Sequence, residues 1–533
     1  MTQAGGTGSR SKNLVLTAMI FAVSMTFIDQ TIVSIAVPEI QKELGLSSTG
    51  VQWVVNAYLL SLAALFAFGG RLADTVGPRK MVTIGVITFA GASALCGLTP
   101  KGSLAETWMI VFRIIQGAGG AIMFPAALAI VVQTFPLRQR GKALAAFFGI
   151  AGGLTAVGPL LGGYLTEWTW RAIFWVNIPV AIIALVLIAW SKPVSVHKPA
   201  RMDYRGAALI AAGVTLSVLG FQQASIWGWT NPLTGLCIAT GLALLVVFYF
   251  VEVHTRSPLM QVSIFRIRPF LVENAVLGVA MLAFVPVFFF ASLYAQVALG
   301  QSSSEAGLYL LYFFIGFVIA AQIGGRMLDR IGAKRPVVLG CALAAVGFWL
   351  WAGKVTDLNF GAQQWYVIMA GGGMGLMLGP ASTDAVNRAS RFSYGEATGI
   401  TQTVRNYAAS LGLAILGTLL VSQMRSHVAS SLTARGVPAT RAAQEAASIA
   451  QFQGGHSGST ASIPHFIRLD FADASRTVFY AMAVFMAVAA VVALAGLRGG
   501  RQQEPGAEPG SPGAAERAAE ADGTDASRPA RLT

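Results

Sequence analysis

Cysteine is nearly missing from this sequence. Cys96, Cys237 and Cys341 are the only three in 533 residues, and each lies inside an apolar run. An odd count without paired or metal-ligand spacing excludes a disulfide framework and a zinc site, which leaves them as small packing residues. Histidine is as scarce, with five, and none falls inside the apolar spans defined below. Charged residues make up 11% of the chain, against roughly 25% in ordinary soluble domains. There is no Gly-x-x-x-x-Gly-Lys-Ser/Thr stretch, no zinc-ligand run and no Ser/His/Asp set in a soluble segment. ATP hydrolysis and covalent catalysis therefore have no carrier, and an enzyme, a metal site and a bound cofactor are not expected.

What fills the chain instead is apolar: 55% hydrophobic residues and a mean hydropathy of +0.64. That is too little polar surface for a soluble protein of this length, and a membrane protein is expected. The net charge of +14 does not point to nucleic acid, because Lys and Arg sit in short breaks between apolar runs and not along one face or in an arm. Residues 1–12 are rich in Gly, Ser and Thr, and the apolar run behind them continues to about Val37. This is too long for a signal-peptide core and is read as the first membrane helix.

At about twenty apolar residues per span, fourteen spans follow: near 13–36, 51–70, 81–98, 108–132, 141–165, 171–191, 205–223, 232–251, 270–293, 306–324, 336–353, 364–385, 397–422 and 476–497. With a cytoplasmic N-terminus, the inner short loops hold nineteen Lys and Arg and the outer ones four (Lys42, Lys101, Arg171, Lys354). The positive-inside rule then puts both termini in the cytoplasm. The expected organisation is a cytoplasmic segment (1–12), a six-helix bundle (13–192), a linker with two extra helices (193–268), a second six-helix bundle (269–497) and a disordered, Gly/Ala/Pro/Glu-rich cytoplasmic tail (498–533). Between spans 13 and 14 lies a polar outer loop, about 423–474, with His427, His456, His465 and Ser457-Gly458-Ser459-Thr460. Scattered histidines of no fixed spacing are plain loop residues; docking of a partner protein on this loop stays an open alternative.

The chain contains itself twice. Gly70-Arg71-Leu72-Ala73-Asp74-Thr75-Val76-Gly77-Pro78-Arg79-Lys80 returns as Gly325-Arg326-Met327-Leu328-Asp329-Arg330-Ile331-Gly332-Ala333-Lys334-Arg335, 255 residues later. Gly117 and Pro125 fall on Gly372 and Pro380 at the same offset. Spans 1–6 and 9–14 are thus matched bundles, the duplicated plan of many secondary transporters, whose substrate path lies at the repeat junction. The expected fold class is an all-α integral membrane protein of about 14 helices, with two pseudo-symmetric six-helix bundles and two extra central helices.

Asp29 is a carboxylate halfway along an apolar helix, at a cost that only a polar cavity or a partner relieves. It stands about fifteen residues past Leu14, roughly 22 Å along the helix. Arg113, about five residues into the descending span 4, comes to the same height in a core of roughly 30 Å. The two can meet if spans 1 and 4 are neighbours. One reading is a static structural ion pair. The other is a proton switch, since burial favours the neutral acid and the guanidinium favours the carboxylate, so that separating them promotes proton uptake. The second half carries Ile368 and Gly371 where Arg113 and Gln116 would fall, so coupling belongs to the first half.

Span 5 holds Gly149, Gly153, Gly158, Pro159, Gly162 and Gly163, which serve either close packing alone or gating. Asp74 and Asp329 are either solvated loop acids or latches that accept from a helix N-terminus in the facing bundle; their matched positions favour the latch. Gln116, Gln322, Arg405 and Asn406 are further polar groups within spans, and Tyr294 and Gln296 close span 9. Phe284, Phe288, Phe289, Phe290, Tyr309, Tyr312 and Phe313 either line a lipophilic pocket or face lipid. Glu273 and Asp384, near the cytoplasmic ends of their spans, are read as snorkelling or solvated.

These residues resemble the major facilitator superfamily, and within it the fourteen-spanner drug:proton antiporters of the EmrB/QacA type, over about residues 13–497. Gly70 to Lys80 is similar to the superfamily's loop signature, with Thr75 and Pro78 in place of the usual basic residues. Arg113 to Ala121 is similar to the span 4 signature associated with proton transfer. Gly158-Pro159-Leu160-Leu161-Gly162-Gly163 is similar to the antiporter signature, with Leu154 where that pattern often begins with glycine. Asp29 to Pro38, with Trp53 and Tyr58 beyond, is similar to the span 1 and 2 pattern of the group. The resemblance implies alternating access between two six-helix bundles and outward transport of lipophilic, often cationic, compounds in exchange for protons.

The expected protein is therefore a proton-coupled multidrug exporter of the cell membrane, driven by the proton gradient without a cofactor, its partners being a lipophilic substrate, protons and membrane lipids. Asp29 and Arg113 would couple protons, and Gly70, Asp74, Gly77, Arg79, Gly325, Asp329 and Gly332 would form the latches. Gly158, Pro159, Gly162 and Gly163 would form the antiporter helix; Gln116, Phe284, Phe288, Tyr294, Gln296, Tyr312, Gln322, Arg405 and Asn406 would line the substrate cavity. A dedicated exporter of one endogenous metabolite, antibiotic or lipid, and a non-transporting scaffold or receptor, are the alternatives.

Overall fold

A computed structural model describes residues 7–136, 139, 143–144, 146–147, 150, 154–155, 157–193, 195, 202–388, 394–451, 464–497 and 499–500. The expectations for the first six residues, for Gly149 and Gly153, for 452–463 with His456, and for nearly all of the 498–533 tail lie outside the described residues, as do six of the nineteen inner cations (Arg138, Arg140, Lys142, Lys198, Arg201 and Arg391).

Among the described residues all regular structure is helical, as lipid demands of a chain whose backbone groups must pair within one segment. The first half runs α1 (Thr7–Leu44), α2 (Ser48–Val76), α3 (Pro78–Gly97), α4 (Ala105–Thr134), α5 (Val157–Trp168), α6 (Ala172–Trp175) and α7 (Asn177–Ser191). The extra pair is α8 (Tyr204–Trp227) and α9 (Pro232–His254), followed by a 3-10 turn at Val262–Arg266. The second half is α10 (Arg268–Val297), α11 (Ser303–Ile331), α12 (Lys334–Ala352), α13 (Phe360–Arg388), α14 (Tyr394–Ala434), α15 (Ala439–Gln451) and α16 (His465–Gly496). Among the described residues, twelve stretches are long and apolar enough to cross a membrane. The two expected spans beyond these twelve are span 5, described in part as α5, and span 12, the long but glycine-rich α13.

Helix neighbours repeat between the halves. In the first, α1 packs on α5 and α7, α4 on α2 and α3, and α3 on α7; in the second, α10 packs on α14 and α16, α13 on α11 and α12, and α12 on α16. Glycines at one offset make this possible. A Cβ on Gly69 would meet the Ala121 carbonyl oxygen at 2.1 Å, and one on Gly324 the Leu376 oxygen at 2.5 Å. Gly85 and Gly340, again 255 apart, press on Met123 and Met377. Small residues let these backbones touch, which is the main route to helix association in a solvent as apolar as the side chains.

Both repeated turns are built on a glycine at positive φ, Gly77 (112°) and Gly332 (80°), whose N–H groups cap α2 and α11 through the Ala73 and Leu328 carbonyls. This end of the molecule is called the motif end and the other the distal end. The two halves meet through α1 with α10, α5 with α11, and α2 with α14. The extra pair lies against the α2–α14 seam, tied to it by Asn56–Gln222, by Ser217–Tyr407 (2.9 Å) and by the Thr418 hydroxyl on the Phe221 carbonyl (2.8 Å).

Hydropathy misplaced the helix ends at the distal side. The expected span 1 stops at 36 and α1 runs to Leu44; the expected span 13 stops at 422 and α14 runs to Ala434; the expected span 14 begins at 476 and α16 begins at His465. The described part of the expected outer loop is largely helical. α15 buries Ala442, Ala446 and Ala450, and the Ser48 hydroxyl reaches the Ala450 carbonyl (3.0 Å). Polar helical turns beyond the lipid core carry no hydropathy signal.

Replacing Gly69 or Gly324 by Val should each cost roughly 1–3 kcal/mol, the range for an overpacked contact, read as a lower melting temperature of the detergent-purified protein. Unchanged melting of both variants would contradict the backbone-contact account.

Candidate functional site

The polar centre of the first half is closed on all sides. Asp29 and Arg113 are 1% and 0% exposed. Arg113 Nη1 donates to Asp29 Oδ2 (2.6 Å) and to Gln116 Oε1 (2.7 Å), and Arg113 Nε donates to the Val54 carbonyl (2.7 Å). Gln116 Nε2 donates in turn to Asp29 Oδ1 (2.9 Å). The guanidinium lies over the Tyr58 ring, 4.5 Å from its centroid, with Phe174 on another side at 5.8 Å. Tyr58 is itself held by its hydroxyl on the Thr26 carbonyl (3.1 Å). A planar guanidinium supplies several fixed donors that a lysine could not, so one cation ties α1, α2 and α4 together.

The sequence of α4 explains why Arg113 can reach inward. A Cβ on Gly117 would strike the Tyr58 carbonyl (2.5 Å), and one on Gly119 the Phe89 nitrogen (2.6 Å). The Ser61 hydroxyl adds a bond to the Ile114 carbonyl (2.7 Å). These contacts seat α4 against α2 and α3 and fix the register at which Arg113 and Gln116 face α1.

Directly along α1 from Asp29 is the distal seal. Gly158 of α5 backs onto Thr31, where a Cβ would come within 2.0 Å of the hydroxyl, and Gly162 backs onto Ile32 (2.9 Å). The Thr31 hydroxyl donates to the Thr155 carbonyl (3.0 Å). On its other side α5 meets the second half: Gly163 rests on Ser303 and Ser304, and Gly307 of α11 on the Pro159 carbonyl, at 2.5 Å for an added Cβ. Gln296 of α10 donates to the Ile35 carbonyl (2.9 Å), and Ser304 bonds Glu167. Glycine and proline of α5 thus form a two-sided backbone contact between halves, with α1 as its floor. The counterpart on α14 uses Gly412 against Leu282 and Gly417 against Gln52.

Several expected cavity residues do not converge here. Tyr294 is fully buried in a network of the second half, donating to the Val355 carbonyl (2.6 Å) and accepting from Gln363 (2.7 Å), beside Tyr309 and Trp351. Phe288 and Phe284 are buried and pack with Phe313, Phe314 and Phe317 between α10 and α11. Tyr312 packs edge-on against Phe360, and Gln322 is exposed on a stripe with Ile315 and Ile319. Gln296 bridges the halves instead. Arg405 and Asn406 sit on α14, where Arg405 holds Gln402 (3.0 Å) and, among the described residues, no ion pair. Of the motif residues, Asp74 and Asp329 are exposed one turn before their glycines, Gly70 and Gly325 lie half-exposed, and the Arg79 N–H donates to Ser195 (3.3 Å).

Sequence reasoning missed three things. Tyr58 is the platform under Arg113. Asn56, Gln222 and Ser410 join the extra pair to the α2–α14 seam, and were visible as amides and a hydroxyl in spans 2, 7 and 13. Glu273 and Asp384 are 0% and 2% exposed, not snorkelling.

With that geometry, comparison with known proteins is informative. The profile of the Major Facilitator Superfamily matches residues 19–413. The tetracenomycin C resistance and export protein of Streptomyces glaucescens is 33% identical over 413 residues, 77% of this chain and 76% of its own length. The multidrug transporter protein MdtP of Bacillus subtilis is 30% identical over 419 residues, 78% of this chain and 76% of its own. In structure, the E. coli xylose transporter XylE, in a partially occluded inward-open conformation, aligns with a TM-score of 0.57 at 14% identity, covering 93% of this chain and all of that one, a likeness of fold alone. Duplicated bundles, the paired glycine turns and the profile match agree that this multi-pass membrane protein belongs to the Major Facilitator Superfamily.

Proposed function

We propose that the protein exports lipophilic small molecules, many of them cationic, in exchange for protons, by alternating access between its two bundles. The observation that carries this reading is the fully buried Asp29–Arg113–Gln116 network in an otherwise apolar bundle. Relatives named for tetracenomycin C export and for multidrug transport support outward movement of small molecules. No nucleotide site is needed: moving one charge across the membrane is worth about 2.3 kcal/mol per 100 mV.

A proton arriving at Asp29 converts the carboxylate to a neutral acid and removes its attraction for Arg113. The guanidinium keeps the Val54 carbonyl, Gln116 and the Tyr58 face, all on α2 and α4, while α1 is released. Because Thr31, Ile32 and Ile35 lie within two turns of Asp29 on the same helix, a shift of α1 moves the floor under Gly158 and Gly162 and the partner of Gln296. Proton binding thus loosens the distal seal, and deprotonation re-forms it. The positive-inside bias puts the motif end in the cytoplasm, which makes the distal end the exit. Asp74 and Asp329 act as latches at the cytoplasmic end, on turns whose glycines fix the chain direction.

A dedicated exporter of a single product is the second reading, favoured by the tetracenomycin C relative. Everted vesicles separate the two. A generic lipophilic cation such as ethidium should elicit proton release with the wild type and none with Asp29→Asn; equal release from both would remove Asp29 from the coupling, and none from either would favour the dedicated exporter.

Breaking the pair from one side should be costly. Arg113→Ala leaves a buried carboxylate unpaired and should lose on the order of 3–5 kcal/mol. The double variant Asp29→Asn/Arg113→Gln should lose clearly less, since both charges vanish together. Thermal unfolding in detergent checks the order, and a double variant less stable than the single one would contradict it.

A further inference from the structure

The second half also carries a guanidinium at mid-membrane depth, and it lacks the carboxylate that Arg113 has. Arg405 lies on α14 beside Val404, which rests on Gly278 of α10, at 3.3 Å for an added Cβ. Val404 and Gly278 each stand ten residues past the start of their helices at the motif end. That is about 15 Å along, halfway through a core of roughly 30 Å. Arg405 Nη1 donates to Gln402 Oε1 (3.0 Å), and among the described residues its side chain makes no other hydrogen bond and no ion pair. Glu396 stands nine residues earlier, two and a half turns away and so on the opposite face of α14. At the 255-residue offset the first half has Ile150, so the cation is not a relic of the duplication. A charge held at this depth without a fixed partner marks a functional position.

Helical register fixes the face that Arg405 occupies. Val404 and Gly412 rest on α10 at Gly278 and Leu282, and Ser410 and Gly417 on α2 at Asn56 and Gln52. Tyr407 and Thr418 are bonded to α8 at Ser217 and Phe221. At about 100° per residue, Gln402, Arg405 and Asn406 fall together on the remaining face, between α10 and α2 and away from the extra pair. That face is turned to the junction of the halves, where α4 also touches α14. Gln402 and Asn406 are each 8% exposed. The Gln402 nitrogen and the Asn406 amide have no hydrogen-bond partner among the described residues, yet none of these atoms is sealed, so each borders open space. Ser410 marks the depth: it bonds Asn56, which lies between Val54 and Tyr58, the two α2 partners of Arg113. Arg405 is five residues nearer the motif end, about 8 Å along α14 from the level of the Asp29 network.

We propose that Gln402, Arg405 and Asn406 form a substrate subsite at the junction of the halves, which takes an ionised acidic oxygen, a carboxylate or a phenolate, on a lipophilic molecule; this rests on the export reading above and adds a second class of cargo to the cationic one. A guanidinium offers parallel N–H groups that match a carboxylate, and the two amides add donors on the same face. The bound anion supplies the counter-charge that the chain leaves out. Asp29 does not compete for Arg405, since Arg113 and Gln116 already hold it. Away from bulk water the attraction is little screened, so one group suffices to favour the anion over a neutral molecule of the same shape.

Fluorescein carries both kinds of acidic oxygen and reports its own binding by fluorescence anisotropy, while its methyl ether methyl ester keeps the ring system without charge. With the detergent-purified full chain, and protein-free micelles as the blank, fluorescein should bind roughly tenfold or more tightly than the neutral dye. Arg405→Gln should abolish that preference, and Arg405→Lys, which keeps the charge without the fork, should restore part of it. A cation that only braced the fold would move the melting temperature and leave the preference between the dyes alone. Equal binding of both dyes by the wild type overturns the proposal without recourse to a variant. A preference that survives Arg405→Gln, in protein with an unaltered gel-filtration profile, overturns the part given to Arg405. Proton release from everted vesicles separates the subsite from the export reading. A preference for fluorescein with no proton release on adding fluorescein or ethidium would sink the exporter and leave the subsite standing; release with ethidium but no preference for fluorescein would sink the subsite alone.

Discussion

The structure turns on the expense of burying Asp29. An isolated carboxylate in an apolar bundle is untenable, and the chain meets that cost by bringing one guanidinium, one amide and one aromatic face to it from two other helices. For Arg113 to reach so far, α4 must touch α2 and α3 at backbone distance, which fixes glycine at 117 and 119. Packing and chemistry therefore constrain the same stretch of α4.

The same carboxylate sits a helical turn or two from the contacts that close the distal end. Gly158 and Gly162 press on α1 at Thr31 and Ile32, while Gly163 and Pro159 press on the opposite half at Ser303, Ser304 and Gly307. Backbone contacts of this kind have little give, since a packed interface switches between arrangements instead of deforming gradually. A charge change at Asp29 is thus positioned to choose between a sealed and an unsealed distal end. In the export reading proposed above, the glycines of α5 would serve gating as well as close packing.

Much of this was legible in the sequence, because the signals were local and repeated. The two turns 255 residues apart announced the duplication, apolar runs located the spans, and helix rise put Asp29 and Arg113 at one height, where they meet because α1 and α4 are neighbours. What failed had physical reasons. Hydropathy is blind to polar helix outside lipid, so α14 and α16 were cut short and α15 was read as loop. Depth along a helix does not reveal which side faces the core, so Glu273 and Asp384 were taken for solvated ends. Tyr294, Phe284 and Phe288 were chosen by character, and their burial among second-bundle side chains is a matter of packing that the sequence does not spell out.

The claim most exposed to refutation is that the charge state of Asp29 sets the state of the distal seal. Spin labels on exposed distal positions of the two halves, Trp168→Cys and Leu308→Cys in a background without Cys96, Cys237 and Cys341, report the separation of α5 and α11 by pulsed electron resonance. The account expects the distance distribution to lengthen as pH falls and to lose that pH dependence when Asp29 is replaced by Asn. A distribution that responds to pH equally in both proteins would contradict it.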